Sequence, residues 1–105
     1  MRLEEIPFTS VDWERLPVEV HPGASGEAVW RTFAAGNVRA RLVDYSPGYV
    51  ADHWCERGHV LVVLDGELVT ELADGSAHTL TPGQGYCVAD GVAPHRSRTA
   101  TGARL

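Results

Sequence analysis

The sequence predicts an all-β domain: a small antiparallel barrel or jelly roll behind an irregular N-terminal segment. Three observations predict it. Six prolines and eleven glycines punctuate a chain of 105 residues, and both residue types break strands and form turns. The runs between them are short and rich in β-branched and aromatic side chains. No run holds a 3.6-residue period over three turns, so no amphipathic helix is written into the chain.

The elements follow in order. Residues 1–26 are expected to form an irregular arm that packs on the barrel, and 27–105 the barrel itself, one domain overall. A short helical turn is expected after Ser10, where "SVDWE" has capping-box spacing. Strands are expected at 27–34, 38–46, 50–54, 59–65, 67–73, 76–81, 85–89 and 95–100. Asp65-Gly66 and Asp74-Gly75 are two-residue hairpin signals, because both residues tolerate the positive φ of a type I′ turn. The strands from 59 to 81 should therefore form a meander. His59-Val-Leu-Val-Val-Leu-Asp is apolar on both faces. Its outer face should meet the N-terminal segment, a second sheet or another subunit, and a homodimer is expected.

Totals exclude several function classes. Net charge is −5, and the nine cations are scattered arginines. Nucleic-acid backbones and anionic membranes need a concentrated basic face. No apolar run approaches the ~20 residues of a membrane span. The chain contains no lysine, which removes Schiff-base chemistry and a lysine base. The acidic, proline-broken start "MRLEEIPFTSVDW" is unlike a signal peptide, so a cytoplasmic protein is expected. Two cysteines in that compartment are ligands, catalysts or inert fillers rather than a disulfide. Cys87 reads as core filler.

The chemistry concentrates in "DHWCERGH". In an extended strand, residues i and i+2 share a face, so His53 and Cys55 are neighbours and Trp54 faces away to pack. His59 has the same parity if Gly58 makes no bulge. Imidazole and thiolate are good ligands for zinc, iron or nickel. His95, where the turn "DGVAP" gives way to a strand, is the candidate fourth ligand. The alternative is a polar pocket without metal, with Cys55 redox-active or merely small.

These segments resemble a known family. "GYVADHWCERGHVLVVLDG" resembles the first cupin motif: Gly48 opens it, His53 matches its first histidine, Cys55 stands at the second, His59 at the glutamate, and Gly66 closes it. "GQGYCVADGVAPHRSRT" resembles the second: Gly83 and Gly91 keep the spacing, Ala89 replaces proline, His95 comes one residue late, and Thr99 stands at a common asparagine. With "WRT", "YSPG" and "APHRS", the chain from Val11 to Leu105 is similar to small bacterial cupins marked by a DHCW motif. The resemblance implies a single cupin-type antiparallel β-barrel and a divalent transition metal, without implying a reaction.

The remaining polar residues have two readings each. Asp52 orients a ligand imidazole or caps a turn. If His95 points inward, so do Ser97 and Thr99, and Arg96 and Arg98 point out. Arg39, Arg41 and Tyr45 share a strand face; inward, Arg41 and Tyr45 would fix a carboxylate, and outward they are solvated. His21 and His78 read as surface residues, Trp13 and Trp30 as packing. Two function classes result. One is a metal-dependent enzyme of dioxygenase, isomerase or decarboxylase type, with Tyr45, Tyr49 and Arg41 as catalytic candidates. The other is a module that binds a small anionic ligand or senses metal or thiol oxidation through Cys55. A structural metal that staples the fold is a third possibility.

Overall fold

Strand pairing sorts the chain into three antiparallel sheets in a computed structural model that describes residues 1–105. The largest has the order β1-β2-β3-β10-β5. Its members are β1 (Val18–Pro22), β2 (Glu27–Ala35), β3 (Val38–Tyr45), β5 (Asp65–Gly66) and β10 (Ala103–Arg104). A second sheet has the order β7-β6-β9, from Ala77–Leu80, Leu68–Leu72 and His95–Arg98. The third pairs β4 (His59–Val62) with β8 (Gly85–Val88).

The long hairpin β2–β3 is where sequence and structure agree most closely. Ala35 pairs Val38 across Gly36-Asn37. Positive φ falls on Gly36 alone, as a type II′ turn requires. Alternation then puts Ala28, Trp30 and Thr32 on the inner face with Arg41, Val43 and Tyr45, their register partners. The inward reading of Arg41 and Tyr45 is the one observed.

Other expectations are corrected. The 1–26 stretch is not irregular throughout: β1 lies inside it and pairs with β2 from Val18↔Arg31 to Pro22↔Glu27. Pro22 is tolerated because β1 is a sheet edge. A 3-10 turn does follow Ser10, at Trp13–Arg15, but its N-cap is Asp12 and that side chain makes no cap hydrogen bond. Trp13 packs edge-on against Phe33, and Glu14 pairs with Arg104 at 3.1 Å.

Residues 50–54 do not form a strand; only isolated bridges at Val50 and Cys55 remain. Asp65-Gly66 is not a hairpin turn. After Val62 the chain leaves the β4–β8 sheet, plugs the corner with fully buried Val63, and pairs Gly66 with Ala103. Gly66 is needed for close approach, since a Cβ there would strike the Gly102 carbonyl. β4 therefore pairs with β8, not β6. Asp74-Gly75 does turn β6 into β7, but in a three-residue loop closed by the Leu72 N–H on the Ser76 carbonyl at 2.9 Å. Cys87 is exposed, because inward positions of β8 belong to Tyr86 and Val88.

The core is small: ten residues of 105 are buried. One cluster is Ala28, Val43 and Tyr49; the other is Val63, Leu68 and Ala103. Tyr45 and Leu105 touch both. The outer face of β4 is uncovered by its own chain, with Val60 86% exposed and Val62 and Leu64 also open. No helix is long and apolar enough to cross a membrane.

Candidate functional site

The site is built from the first residues of two strands. His95 opens β9, where buried His95, Ser97 and Thr99 alternate with outward Arg96 and Arg98. Those arginines close on Glu71 at 2.9 and 2.6 Å. Their hydrogen bonds, Arg98's first, hold its carboxyl below the usual range. His95 is 3% exposed. Its Nδ1 stands 2.8 Å from the Ala93 carbonyl. A carbonyl only accepts, so Nδ1 carries a proton and donates it to Ala93. The ring's Nε2 is buried without a partner, which folded proteins rarely permit.

His59 opens β4. Its ring lies 4.8 Å from that of His95, nearly perpendicular. His59 Nε2 shares a 2.9 Å hydrogen bond with the Tyr86 hydroxyl. Burial, then the charge of His95, pushes the His59 imidazole below its usual range, favouring the neutral ring. Burial pushes the Tyr86 phenol up to about 12, so it keeps its proton.

Cys55 stands opposite His95 in a two-residue bridge with backbone hydrogen bonds of 2.7 and 3.0 Å. It is half-buried and faces the same cleft as His59 and His95. His53 does not join them closely. Asp52 and His53 form a bend, and Asp52 Oδ1 takes His53 Nδ1 at 2.6 Å with the imidazole 75% exposed. Asp52 thus orients an imidazole, and His53 holds its carboxyl below the usual range. Two imidazoles and a thiol are the donor chemistry of a soft divalent ion. The orphaned Nε2 of His95 fits such an ion too. The arrangement lacks a third convergent ligand: no three His, Cys, Asp or Glu side chains are grouped to hold a metal.

The cleft measures about 1090 Å³, slightly above the roughly 300–1,000 Å³ of common small-molecule sites. Arg39, Arg41, Arg57 and Arg96 line it against one carboxylate, Glu56. Arg41 is fixed in place, 3.8 Å over the Trp30 ring and bonded to Thr32 Oγ1 at 3.0 Å. Burial and the neighbouring Arg39 lower its affinity for a proton, a strain that a bound anion would relieve. Tyr45 and Tyr49 stack at 4.2 Å in the wall. Burial raises Tyr45 and pushes Tyr49 up to about 12, so neither phenol is a ready base near neutrality.

Trp54 does not pack away from the site: it is exposed at the rim beneath the Arg96 guanidinium, 4.5 Å off. Trp30 does pack, and it also holds Arg41. His21 stacks on Trp30 at 3.8 Å, while His78 is exposed as expected. Tyr86 was not singled out from sequence. Its even parity with Val88 on β8 is the signal that marks it as inward.

No protein-family profile matches the chain, and no curated protein resembles it in sequence. Solved structures do resemble it in shape. A cupin-superfamily sugar phosphate isomerase, SPO2919 from Silicibacter pomeroyi, superposes with a TM-score of 0.66 at 18% identity, over 91% of this chain and 71% of that one. Protein NMB1881 from Neisseria meningitidis superposes at 0.52 and 20% identity, over 84% and 76%. With antiparallel sheets throughout and that superposition over nearly its whole length, the chain has the cupin-type β-barrel fold.

Proposed function

We propose that this protein holds a small anionic molecule in the arginine-lined cleft, beside His59, Tyr86 and His95. One observation carries the reading: in a chain of net charge −5, Arg39, Arg41 and Arg57, with Arg96 paired to Glu71 at the rim, line one cavity against a single carboxylate, Glu56. Arg41 is the anchor, since its stacking on Trp30 and bond to Thr32 fix the guanidinium before any ligand arrives. A carboxylate or phosphate accepts two parallel hydrogen bonds from such a group. The Silicibacter pomeroyi neighbour is described as a sugar phosphate isomerase, which makes a phosphorylated sugar one candidate anion. The direct test is calorimetric titration with glucose 6-phosphate and with malonate. Binding that fades with salt and is lost in Arg41→Gln supports the proposal. The absence of saturable binding by either probe, with the fold intact, defeats it.

The unpartnered Nε2 of His95 favours a second reading, a metal-dependent enzyme. His59 and His95 would hold zinc, iron or nickel, and Cys55, on the facing bridge, would have to turn toward them to add a third donor. Such an ion would supply Lewis-acid or dioxygen chemistry. Arg41 would orient the substrate. Elemental analysis of protein purified without a metal-affinity tag checks this. Stoichiometric metal that falls in Cys55→Ser and His95→Ala supports it, and metal-free wild type removes it. A cytoplasmic location and a homodimer joined through the open face of β4 complete the proposal.

A further inference from the structure

Two strand edges face each other across the arginine-lined cleft. β10 pairs with β3 on one side and with β5 on the other. Val43 and Leu105 exchange backbone hydrogen bonds on the β3 side, and the Leu64 N–H donates to the Arg104 carbonyl on the other. There β3 and the β4–β5 segment stand two ladder spacings apart, about 9–10 Å. β10 separates them only as far as Leu105. Beyond it, Arg39, Ala40 and Arg41 of β3 and Val60, Leu61 and Val62 of β4 line the same cleft. Successive side chains point to opposite faces, so consecutive residues line one cavity together where the strand's edge borders it.

Backbone parity fixes what those edges offer. Along an antiparallel strand, successive residues direct N–H and C=O to opposite sides. Val43 bonds toward β10, so Arg41 and Arg39 point the same way while Leu42 and Ala40 serve β2. Val63 bonds toward β8, with Gln84 and Gly83, so Val62 and Val60 point away from β8. The backbone groups of Arg39, Arg41, Val60 and Val62 thus lie outside both ladders. A free edge of this kind is a template for a further strand, and here two edges flank one slot.

The slot has a chemical preference. Leu105 points inward, touching both core clusters, between Val43 and Val63. Continuing that register, a residue between Arg41 and Leu61 also points inward, onto the Arg41 guanidinium. Its two neighbours point outward, one beside Leu42 and Val62 and the other beside Ala40 and Val60. The matching pattern is apolar, acidic, apolar. The N-terminal arm is held elsewhere: Asn37, at the β2–β3 turn, accepts from the Glu4 N–H at 3.0 Å and donates to the Arg2 carbonyl at 2.8 Å. A folded second copy has no strand to give, since a filler needs both edges free and every strand here has a neighbour.

We infer that this slot binds an extended peptide segment of another protein, antiparallel to β3 and β4, with a carboxylate side chain facing Arg41. The strand pairing rests on the backbone edges; only the choice of a carboxylate rests on the anion reading of the cleft.

The test is an NMR titration of the full chain with the peptide acetyl-Thr-Val-Glu-Val-Thr-amide, read by amide hydrogen exchange. Binding should be saturable and should slow exchange of the Arg39, Arg41, Val60 and Val62 amides about tenfold or more. The glutamine analogue should bind about threefold to tenfold more weakly. A peptide N-methylated at both valines keeps its carboxylate but cannot pair with β4, and should not bind. Val60→Pro removes an N–H that faces the slot and none from the β4–β8 ladder. It should keep the parent circular dichroism and weaken the peptide about threefold or more. No saturable binding overturns the inference. So does equal binding of the N-methylated or the glutamine peptide. Slow exchange of the same amides in the free protein also overturns it, because the slot would then be filled by a second copy or by the arm. Malonate that fails to bind, beside a glutamate peptide that protects these amides, defeats the small-anion reading and supports this one.

Discussion

His95 and His53 show what a single residue's position rests on. Period-2 alternation places His95, Ser97 and Thr99 inward because β9 is a regular strand, and that was legible. The same rule fails at His53, because the short polar pair Asp52-His53 bonds to itself and bends the chain. Parity has no meaning outside a strand. Arg41 left two readings open in the sequence, because a strand's inner face is set only by what packs on it. Its removal is the sharpest test of the cleft. Arg41→Gln should weaken anion binding about tenfold or more, the scale of one charged hydrogen bond, with little change in unfolding midpoint. Glu71 offers a pH test. Its carboxyl is held below the ordinary glutamate value of about 4.5 by hydrogen bonds from Arg98 and Arg96. The unfolded chain then binds more protons in acid, so stability from this group is present above about 4.5 and lost as pH falls. Denaturation midpoints of Glu71→Gln should lack that acid-side decline; an unchanged decline would assign it to other carboxylates.

Elements were read well where their partners are local, and poorly where they are distant. The β2–β3 hairpin and the β6–β7 turn follow from turn chemistry and alternation. β1 was missed, since Pro22 and its polar neighbours suggest a loop until β2 offers an edge. The two Asp-Gly pairs look alike in sequence and differ in duty. Gly66 has φ 77° and no room for a Cβ beside Gly102, whereas Gly75 has φ 92° and open space. Alanine at 75 should cost about 1–2 kcal/mol of backbone strain. Alanine at 66 adds a backbone clash and should cost well beyond that. Urea unfolding of both variants checks the order, and equal losses would refute the contrast.

At the scale of the molecule, a six-residue apolar core and the arginine-lined cleft divide the interior. The cupin fold was legible because two motifs span the chain; the lining of the cleft was not, since it depends on how separate sheets come together. The open face of β4 carries Val60, Val62 and Leu64, and edge strand β1 exposes Val18 and Val20. Such apolar strips are what subunit contacts cover. Sedimentation velocity should find a dimer, and Val60→Glu should shift it to monomer with the same circular dichroism. A monomeric wild type would reject the pairing.

Strand β10 lies between β3 and β5, and Leu105 exchanges both backbone hydrogen bonds with Val43, at 2.8 and 2.9 Å. The strand that joins β5 to the rest of the largest sheet is thus made long after both of its neighbours. During synthesis β1–β3 emerge with a gap where that strand must insert, and they stay open until residues 103–105 clear the ribosome. A chain in which residues 103–105 fail to insert would expose β3 as an unzipped edge, the form most prone to pairing with a neighbour.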